Sequence, residues 1–161
     1  MGMITFTCLD KSQKDHWLPI LFDLLYENMQ KIAPDDRPYQ QAKQLRLKEV
    51  SPALEREPRQ IILCLVDDAL AGYVQYYTNK DLLMIEEMQI AKAYQCTTLF
   101  YSLCKHFANM LPTEIDRVEA YADPRNLHSR KLMVKLGMAE KEEGKFIHFS
   151  GLTTKIRKLF Q

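Results

Sequence analysis

The chain has 161 residues, of which 47% are hydrophobic and 27% charged, with a formal net charge of +1. This length and composition predict one soluble globular domain that spans residues 1–161. The balanced charge argues against nucleic acid and acidic membranes as partners, and no apolar run is long enough to span a bilayer.

The placement of the cysteines gives no sign of a metal centre. Cys8, Cys64, Cys96 and Cys104 contain no C-x-x-C pair, and the four histidines do not cluster with them. We therefore expect reduced thiols in a cytoplasmic protein and no bound metal. No secretory leader pattern opens the sequence.

The first residues predict a strand followed by a helix. Ile4 to Leu9 alternates enough for a strand. Ser12 and Asp15, three residues apart, have the spacing of a capping box for the helix that follows. This helix is expected to present one apolar face, formed by Trp17, Leu18, Leu21, Leu24, Leu25 and Met29.

A second, more polar helix is predicted from Tyr39 to about Val50. Its few apolar positions indicate a half-exposed segment. Pro52 and Pro58 argue against long regular structure immediately after it, because proline lacks the backbone donor and clashes with the preceding helical turn.

Three strands joined by tight turns come next. They are predicted at Ile61 to Val66, Leu70 to Thr78 and Leu82 to Ile90, with turns at Asp67-Asp68 and at Asn79-Lys80-Asp81. Short turns of this kind join antiparallel neighbours, so we expect a meander.

The third of these strands leads directly into a helix. The segment from Ala91 to Gln95 breaks the apolar run, and Thr97 or Thr98 is expected to cap the helix that follows. The first backbone N–H groups of a helix have no acceptor within it, which suits a phosphate group. Four residues at helical spacing are expected to form the buried face: Leu99, Leu103, Phe107 and Met110.

The last third of the chain predicts another strand and another helix. Val118 to Ala122 forms the strand. Asn126 is placed as the N-cap of the helix, which ends at Gly137, a residue type common just past a helix end. Three of its residues are expected to be buried: Leu132, Met133 and Leu136.

A hairpin and a short tail complete the chain. The hairpin is predicted from Met138 to Lys141 and from Lys145 to Phe149, turning around Glu142-Glu143-Gly144. His148 is expected to be a surface or edge residue without catalytic partners. The basic tail, GLTTKIRKLFQ, is expected to form a short amphipathic helix or to fray.

The element order is therefore β-α-α-β-β-β-α-β-α-β-β. It predicts an α/β fold with a mixed, mostly antiparallel sheet flanked by helices on both faces.

The order of the predicted elements, together with two stretches of the sequence, resembles the GNAT superfamily of acyl-CoA-dependent N-acetyltransferases. The first is IEEMQIAKAYQCTTLF, similar to the family's acidic pair, strand end and Gly-rich loop. The second is NLHSRKLMVKLGM, similar to N-x-x-A-x-x-L-Y-x-K-x-G-F. It matches in register at Asn126, Ser129, Leu132, Lys135 and Gly137, and the likeness is strongest over residues 61–149.

The sequence also departs from the family pattern. Gln95 keeps the first position of the phosphate-binding loop, but Thr98 and Phe100 replace its two glycines. Met133 stands where the family usually has Tyr. Bulk at the two glycine positions implies weaker binding of the cofactor than is usual for the family.

The resemblance implies acetyl-CoA as co-substrate, with no metal. Backbone groups at the end of the central strand, the loop with the start of the following helix, and the first turn of the next helix would contact it. The residues at these places are Met88, Gln89, Ile90, Gln95, Cys96, Thr97, Thr98, Leu99, Phe100, Asn126, Ser129 and Arg130.

The resemblance further implies that Glu86 or Glu87 accepts the proton of the amine nucleophile. Adjacent strand residues point to opposite faces, so one of the two faces the substrate, and the sequence leaves open which. Both could equally be ordinary solvated or paired carboxylates.

The family's general acid is missing here, because methionine at position 133 cannot donate a proton. Water, Tyr94, Tyr101 or Cys104 could replace it, or the thiolate could leave unaided. Loss of one acid–base group costs on the order of 10²–10⁴-fold in rate.

The sequence therefore predicts an N-acetyltransferase that acts on a primary amine of a small molecule or protein. The alternative is a catalytically impaired GNAT-like domain that serves ligand binding or protein interaction. Homodimers are common in this fold, with the final hairpin and the tail as the surfaces to examine. Mixed charges over residues 17–50 favour neither a cationic nor an anionic acceptor.

Overall fold

The computed structural model describes residues 2–56, 58–95 and 98–161. Within these ranges the chain forms seven strands and five α-helices in the predicted order, the fifth helix being the tail. Their bounds are β1 Ile4–Cys8, α1 Lys14–Met29, α2 Tyr39–Glu55, β2 Gln60–Val66, β3 Ala69–Asn79, β4 Leu82–Ile90, α3 Leu99–Met110, β5 Arg117–Ala122, α4 Leu127–Lys135, β6 Ala139–Glu143, β7 Phe146–Leu152 and α5 Thr153–Lys158.

The strands form one sheet with the order β1-β2-β3-β4-β5-β7-β6. Strand β4 pairs with β5 in parallel, whereas β1 with β2, β5 with β7, and β6 with β7 are antiparallel. Two-residue connections join β2 to β3 and β3 to β4, and connections this short join antiparallel strands. The predicted mixed, mostly antiparallel sheet with flanking helices is confirmed.

Two compact units can be separated in the chain. The first comprises Met1–Gln75 and Glu87–Gln95, and the second Tyr76–Glu86 and Cys96–Gln161. The expectation of a single domain over residues 1–161 remains a prediction.

The hairpin turns depend on left-handed backbone conformations. Asp67 and Asp68 have φ of 50° and 68°, as the two central residues of a type I′ turn require. Gly144, with φ of 61°, opens the turn between β6 and β7. That turn consists of Gly144 and Lys145, two residues later than predicted, and Glu142 and Glu143 belong to strand β6.

In the first unit, helix α1 packs its apolar face on strands β2 and β3. The predicted capping box of Ser12 and Asp15 is wrong. Asp10 instead accepts a hydrogen bond from the Ser12 N–H at 2.9 Å and starts a short 3-10 turn that leads into α1. The buried cluster consists of Leu9, Leu18, Leu21, Leu24, Val50, Leu54, Ile61, Leu63 and Tyr73.

Helix α2 is longer than predicted, because it continues through Pro52 to Glu55. A proline in the helix interior costs one backbone hydrogen bond and some steric strain. Here Ala53 and Leu54, which follow the proline, are buried in the core and help to hold the last turn.

In the second unit, helix α3 buries Leu99, Leu103 and Phe107 as predicted, together with Cys104 and Ala108. Met110, expected on the same face, is exposed at the end of the helix. Helix α4 buries Met133, whereas Leu132 and Leu136 are half-buried.

The end of α4 has the hydrogen bonds of a Schellman motif. The Met138 N–H donates to the Met133 carbonyl at 3.1 Å, and the Gly137 N–H donates to the Val134 carbonyl at 2.9 Å. Gly137 has φ of 87°, a conformation that glycine adopts without strain. The predicted role of Gly137 is confirmed.

Candidate active site

The candidate catalytic residues follow the part of β4 that is paired with β5. The parallel register runs from Leu82 opposite Arg117 to Ile85 opposite Ala120. Glu86, Glu87, Met88, Gln89 and Ile90 come after these positions. Glu86 belongs to the second unit, and the remaining four belong to the first.

Glu87 is contacted by Gln89 and Arg46, both in the first unit. Gln89 Nε2 donates to Glu87 Oε1 at 2.7 Å, and Arg46 Nη2 of helix α2 lies 3.7 Å from Glu87 Oε2. The Glu87 side chain is 21% exposed and that of Arg46 is 30% exposed. Glu87 therefore directs its carboxylate towards α2 and keeps access to solvent.

Tyr73 of strand β3 lies within the electrostatic reach of this pair. Burial raises the pKa of Tyr73 well above its usual value, and the Glu87 charge raises it further, whereas Arg46 opposes the shift. Tyr73 therefore remains a neutral phenol beside the carboxylate.

A chain of amide hydrogen bonds extends from Glu87 to the loop after β4. Asn28 Nδ2 donates to Gln89 Oε1 and to the Ile90 carbonyl, both at 2.9 Å. Gln95 Nε2 also donates to the Ile90 carbonyl, at 3.0 Å, and to Asn28 Oδ1 at 3.3 Å. Gln95, the first residue of the predicted phosphate-binding loop, is therefore hydrogen-bonded to the end of β4.

Sequence reasoning missed Asn28 in this network. The sequence offers one indication of its role: Asn28 is a polar residue four positions after buried Leu24, on a helix face that is otherwise apolar. Its partners lie more than 60 residues further along the chain.

The backbone of strand β3 lies close to the C-terminal end of β4 and holds it in position. The Ala91 N–H donates to the Ala71 carbonyl at 2.7 Å. A Cβ added at Gly72 would lie 2.7 Å from the Gln89 carbonyl oxygen, closer than side chains tolerate. Gly72 is therefore required for the position of the Gln89–Ile90 backbone.

The start of helix α3 carries the remaining loop residues. Thr98 is exposed, stands at the N-cap position and makes no side-chain capping hydrogen bond. Of the two predicted alternatives for the cap, Thr98 is therefore not the cap, and Thr97 lies outside the described residues. Leu99 is fully buried and Phe100 half-buried. Cys96 and Thr97, also predicted to bind cofactor, lie outside the described residues.

The start of helix α4 is capped. Asn126 Oδ1 accepts from the Ser129 N–H at 3.1 Å, which confirms the predicted cap. Arg130 forms an ion pair with Glu140 at 3.2 Å and donates to the Pro124 carbonyl at 3.1 Å. These contacts use three of the five N–H groups of the guanidinium.

The structure was compared with solved structures. An acetyltransferase from Thermus thermophilus superposes with a TM-score of 0.73 at 15% identity, covering 93% of this chain and 97% of that one. The PaiA N-acetyltransferase from Thermoplasma acidophilum in complex with coenzyme A gives 0.72 at 12% identity, covering 93% and 99%. The ribosomal-protein-S5-alanine acetyltransferase from Vibrio fischeri gives 0.68 at 15%, covering 95% and 94%.

This chain has the GNAT fold. Structures named as GNAT-family acetyltransferases are among its neighbours, also at low identity. No protein-family model matches the sequence, and no curated protein matches it. The likeness therefore establishes the GNAT fold, whereas the chemistry has to be argued from the residues.

Met133, which the sequence resemblance aligns with the family's tyrosine, is a core residue. Met133 is buried, and its carbonyl accepts the Schellman hydrogen bond. Cys104 does not suit the role of general acid, because burial raises the pKa of its thiol to about 12. Tyr101 is exposed and contacts the Phe160 ring at a centroid distance of 5.2 Å. Tyr94 ends the short 3-10 turn after β4.

The second unit contains a polar cluster that the sequence did not predict. His148 Nε2 lies 2.5 Å from Glu119 Oε1, and His148 Nδ1 lies 3.9 Å from Glu143 Oε2. The Tyr121 ring contacts the His148 ring at 4.9 Å. His148 thus has polar partners that the sequence did not reveal, because antiparallel pairing of β5 and β6 with β7 brings these residues together.

Within residues 2–56, 58–95 and 98–161, no group of three or more metal-binding side chains is found. None of the helices in these ranges is both long and apolar enough to cross a membrane. Cys8, Cys64 and Cys104 are free thiols, of which Cys8 is exposed.

Proposed function

We propose that this protein is an acetyltransferase that transfers an acetyl group from acetyl-CoA to a primary amine. The observation that carries the proposal is the placement of Glu87 in the GNAT fold. Its carboxylate is solvent-accessible, hydrogen-bonded by Gln89 and close to Arg46 at the surface of helix α2.

Glu87 is the proposed proton acceptor. An alkyl ammonium has a pKa near ~10, so its nitrogen must lose a proton before it can act as a nucleophile. Glu87 takes this proton, directly or through one water. Of the two adjacent carboxylates we favour Glu87 over Glu86, because the Gln89 hydrogen bond fixes the orientation of Glu87.

The start of helix α3 fits the pyrophosphate of the co-substrate. No side chain at Thr98 competes for the first N–H groups of the helix, and the Thr98 hydroxyl is exposed. Helix N-termini bind phosphate through such groups and through the helix dipole. Thr98, Leu99 and Phe100 would hold the group, with Gln95 anchoring the preceding loop.

Acetyl-CoA supplies the reactive thioester when bound. The amine nitrogen forms a bond to the thioester carbonyl carbon, the carbon–sulfur bond breaks, and the sulfur leaves as a thiolate. Backbone N–H groups from Met88 to Ile90 are the proposed oxyanion donors. Asn126, Ser129 and Arg130 are proposed as further contacts to the same co-substrate.

One observation favours a second function. Met133, which the sequence resemblance aligns with the family's proton donor, is buried in the core. A domain that binds a ligand or a protein without turnover would need no such donor. We further propose a cytoplasmic location with no nucleic acid or membrane partner, and a homodimer as the assembly to examine.

Thiol release from acetyl-CoA with a panel of primary amines tests the proposal. We expect turnover, with kcat/KM reduced on the order of 10²–10⁴-fold by Glu87→Gln. A larger loss with Glu86→Gln than with Glu87→Gln would reassign the base. Calorimetric binding of acetyl-CoA without turnover of any amine would favour the binding domain, and absence of binding at millimolar acetyl-CoA would refute the enzyme.

A further inference from the structure

The first unit contains a cavity of about 300 Å³ between helices α1 and α2. This volume lies at the lower end of the range for small-molecule sites. Its apolar wall is formed by large side chains that come from both helices: Phe22, Leu25, Tyr26, Met29 and Leu45. Such a wall suits a compact apolar group and disfavours a charged one, because an unpaired charge is costly to desolvate.

Arg46 gives one part of this cavity a positive charge. It lines the cavity, and its Nη2 lies 3.7 Å from Glu87 Oε2. A charge-assisted hydrogen bond between such groups usually measures 2.7–2.9 Å. Arg46 therefore connects the cavity wall to Glu87, which does not itself line the cavity.

The other charged residues of the cavity wall are arranged differently. Arg37 and Asp35 bind each other through two side-chain hydrogen bonds, at 2.6 and 2.9 Å. Glu49 lies one helical turn beyond Arg46 and is exposed. Of the two arginines that line the cavity, Arg46 is therefore the one that lies beside the proposed base, Glu87.

We infer that the acceptor is a free α-amino acid with a large apolar side chain, an inference that rests on the proposed acetyltransferase function. The side chain occupies the cavity, the carboxylate binds Arg46, and the ammonium group binds Glu87. An α-amino acid carries its two charges on one carbon, so it matches an arginine and a glutamate this close together.

The test compares kcat/KM for L-phenylalanine with that for phenethylamine, which has the same side chain and amine but no carboxylate. We expect a preference for L-phenylalanine of at least roughly tenfold, since a hydrogen-bonded charged group is typically worth this much or more. L-Phenylalaninamide should behave as phenethylamine does.

Arg46→Gln should reduce the preference for L-phenylalanine by roughly tenfold to a hundredfold. Arg46→Lys, which keeps the charge, should restore part of it. Arg37→Gln is the matched control, because Arg37 lines the same cavity but pairs with Asp35. It should leave the preference unchanged. Ala33→Phe, which adds bulk at the cavity wall, should reduce kcat/KM for L-phenylalanine more than for glycine.

Failure of this inference is distinguishable from failure of the proposed function. Turnover of phenethylamine equal to that of L-phenylalanine, unaffected by Arg46→Gln, would overturn the inference and leave the acetyltransferase in place. Calorimetric binding of L-phenylalanine that requires Arg46, without turnover of any amine, would support the site and refute the enzyme. Far-ultraviolet circular dichroism checks that each variant is folded.

Discussion

Helices α3 and α4 both begin after a strand, yet their first turns are stabilised in different ways. Asn126 caps α4, and Asp123 just before it accepts from the Arg125 N–H at 2.9 Å. Thr98 forms no side-chain cap for α3. The difference indicates that the start of α4 is stabilised by a side-chain cap, whereas Thr98 supplies none to α3, whose buried face holds it on the sheet.

The largest expected effect concerns that buried face. Leu103 of α3 is fully buried, and Leu127, the first residue of α4, is 62% exposed. Leu103→Ala should reduce the free energy of unfolding by about 2–5 kcal/mol, because it leaves a cavity in the core. Leu127→Ala should change it by less than about 0.5 kcal/mol. Urea denaturation measures the free energy of unfolding of both variants. Similar losses of stability would contradict the expected difference between the buried and the exposed leucine.

A charge at the start of α3 tests whether that turn serves a ligand. Thr98→Asp should weaken acetyl-CoA binding by about tenfold or more, through repulsion of the pyrophosphate. Asn109→Asp, which adds the same charge near the other end of α3, is the control and should have little effect. Calorimetric titration gives both dissociation constants. Equal weakening by the two variants would place the pyrophosphate elsewhere.

Removing the two N-cap side chains compares the helix starts directly. Asn126→Ala should cost about 1 kcal/mol of folding stability, the usual value for a lost cap. Thr98→Ala removes no capping hydrogen bond, so its effect on thermal unfolding should be within about 0.5 kcal/mol of zero. A destabilisation by Thr98→Ala as large as that by Asn126→Ala would show that Thr98 caps α3 after all.

The smallest expected effect is a pH dependence at α4. Side-chain and backbone hydrogen bonds from Arg125 lower the pKa of Asp123 from its usual 3.8 to about 2. The folded state therefore binds this proton less readily than the unfolded state. The stabilisation is fully present above pH ~4 and is lost as pH falls towards ~2.

Asp123→Asn measures this contribution, which should be about 0.5 kcal/mol for so exposed a pair. The difference in stability between the variant and the parent protein should shrink between pH 4 and pH 2. A difference that stays constant over this interval would show that the Asp123 charge does not contribute.

The sequence predicts what depends on local pattern. The hairpin turn at Asp67-Asp68, the bounds of β4, the Asn126 cap and the Gly137 helix end are all confirmed. Each depends on residues close together in the chain, where spacing and backbone preference decide the outcome.

The wrong predictions concern places where tertiary packing or a competing hydrogen-bond partner determines the local structure. Asp10 precedes Ser12 by two residues and forms the cap that the capping box would have supplied. Pro52 remains within α2 because the residues after it are buried.

The candidate site could be predicted only in outline. The acidic pair and the loop after β4 were visible in the sequence. The contacts of Glu87 were not, because Arg46 precedes it by 41 positions and folding alone brings the two together. The fold could be recognised from the element order, whereas the cavity between α1 and α2 depends on how these two helices pack.

Strand β6 forms one edge of the sheet, and its sequence, AEKEE, is exposed along its whole length. A strand added at this edge by a second copy would place carboxylates side by side. The edge therefore protects the protein against sheet-to-sheet aggregation in the way that charged edge strands do in general. The protection weakens as salt screens the charges, so concentrated stocks should keep best at low ionic strength.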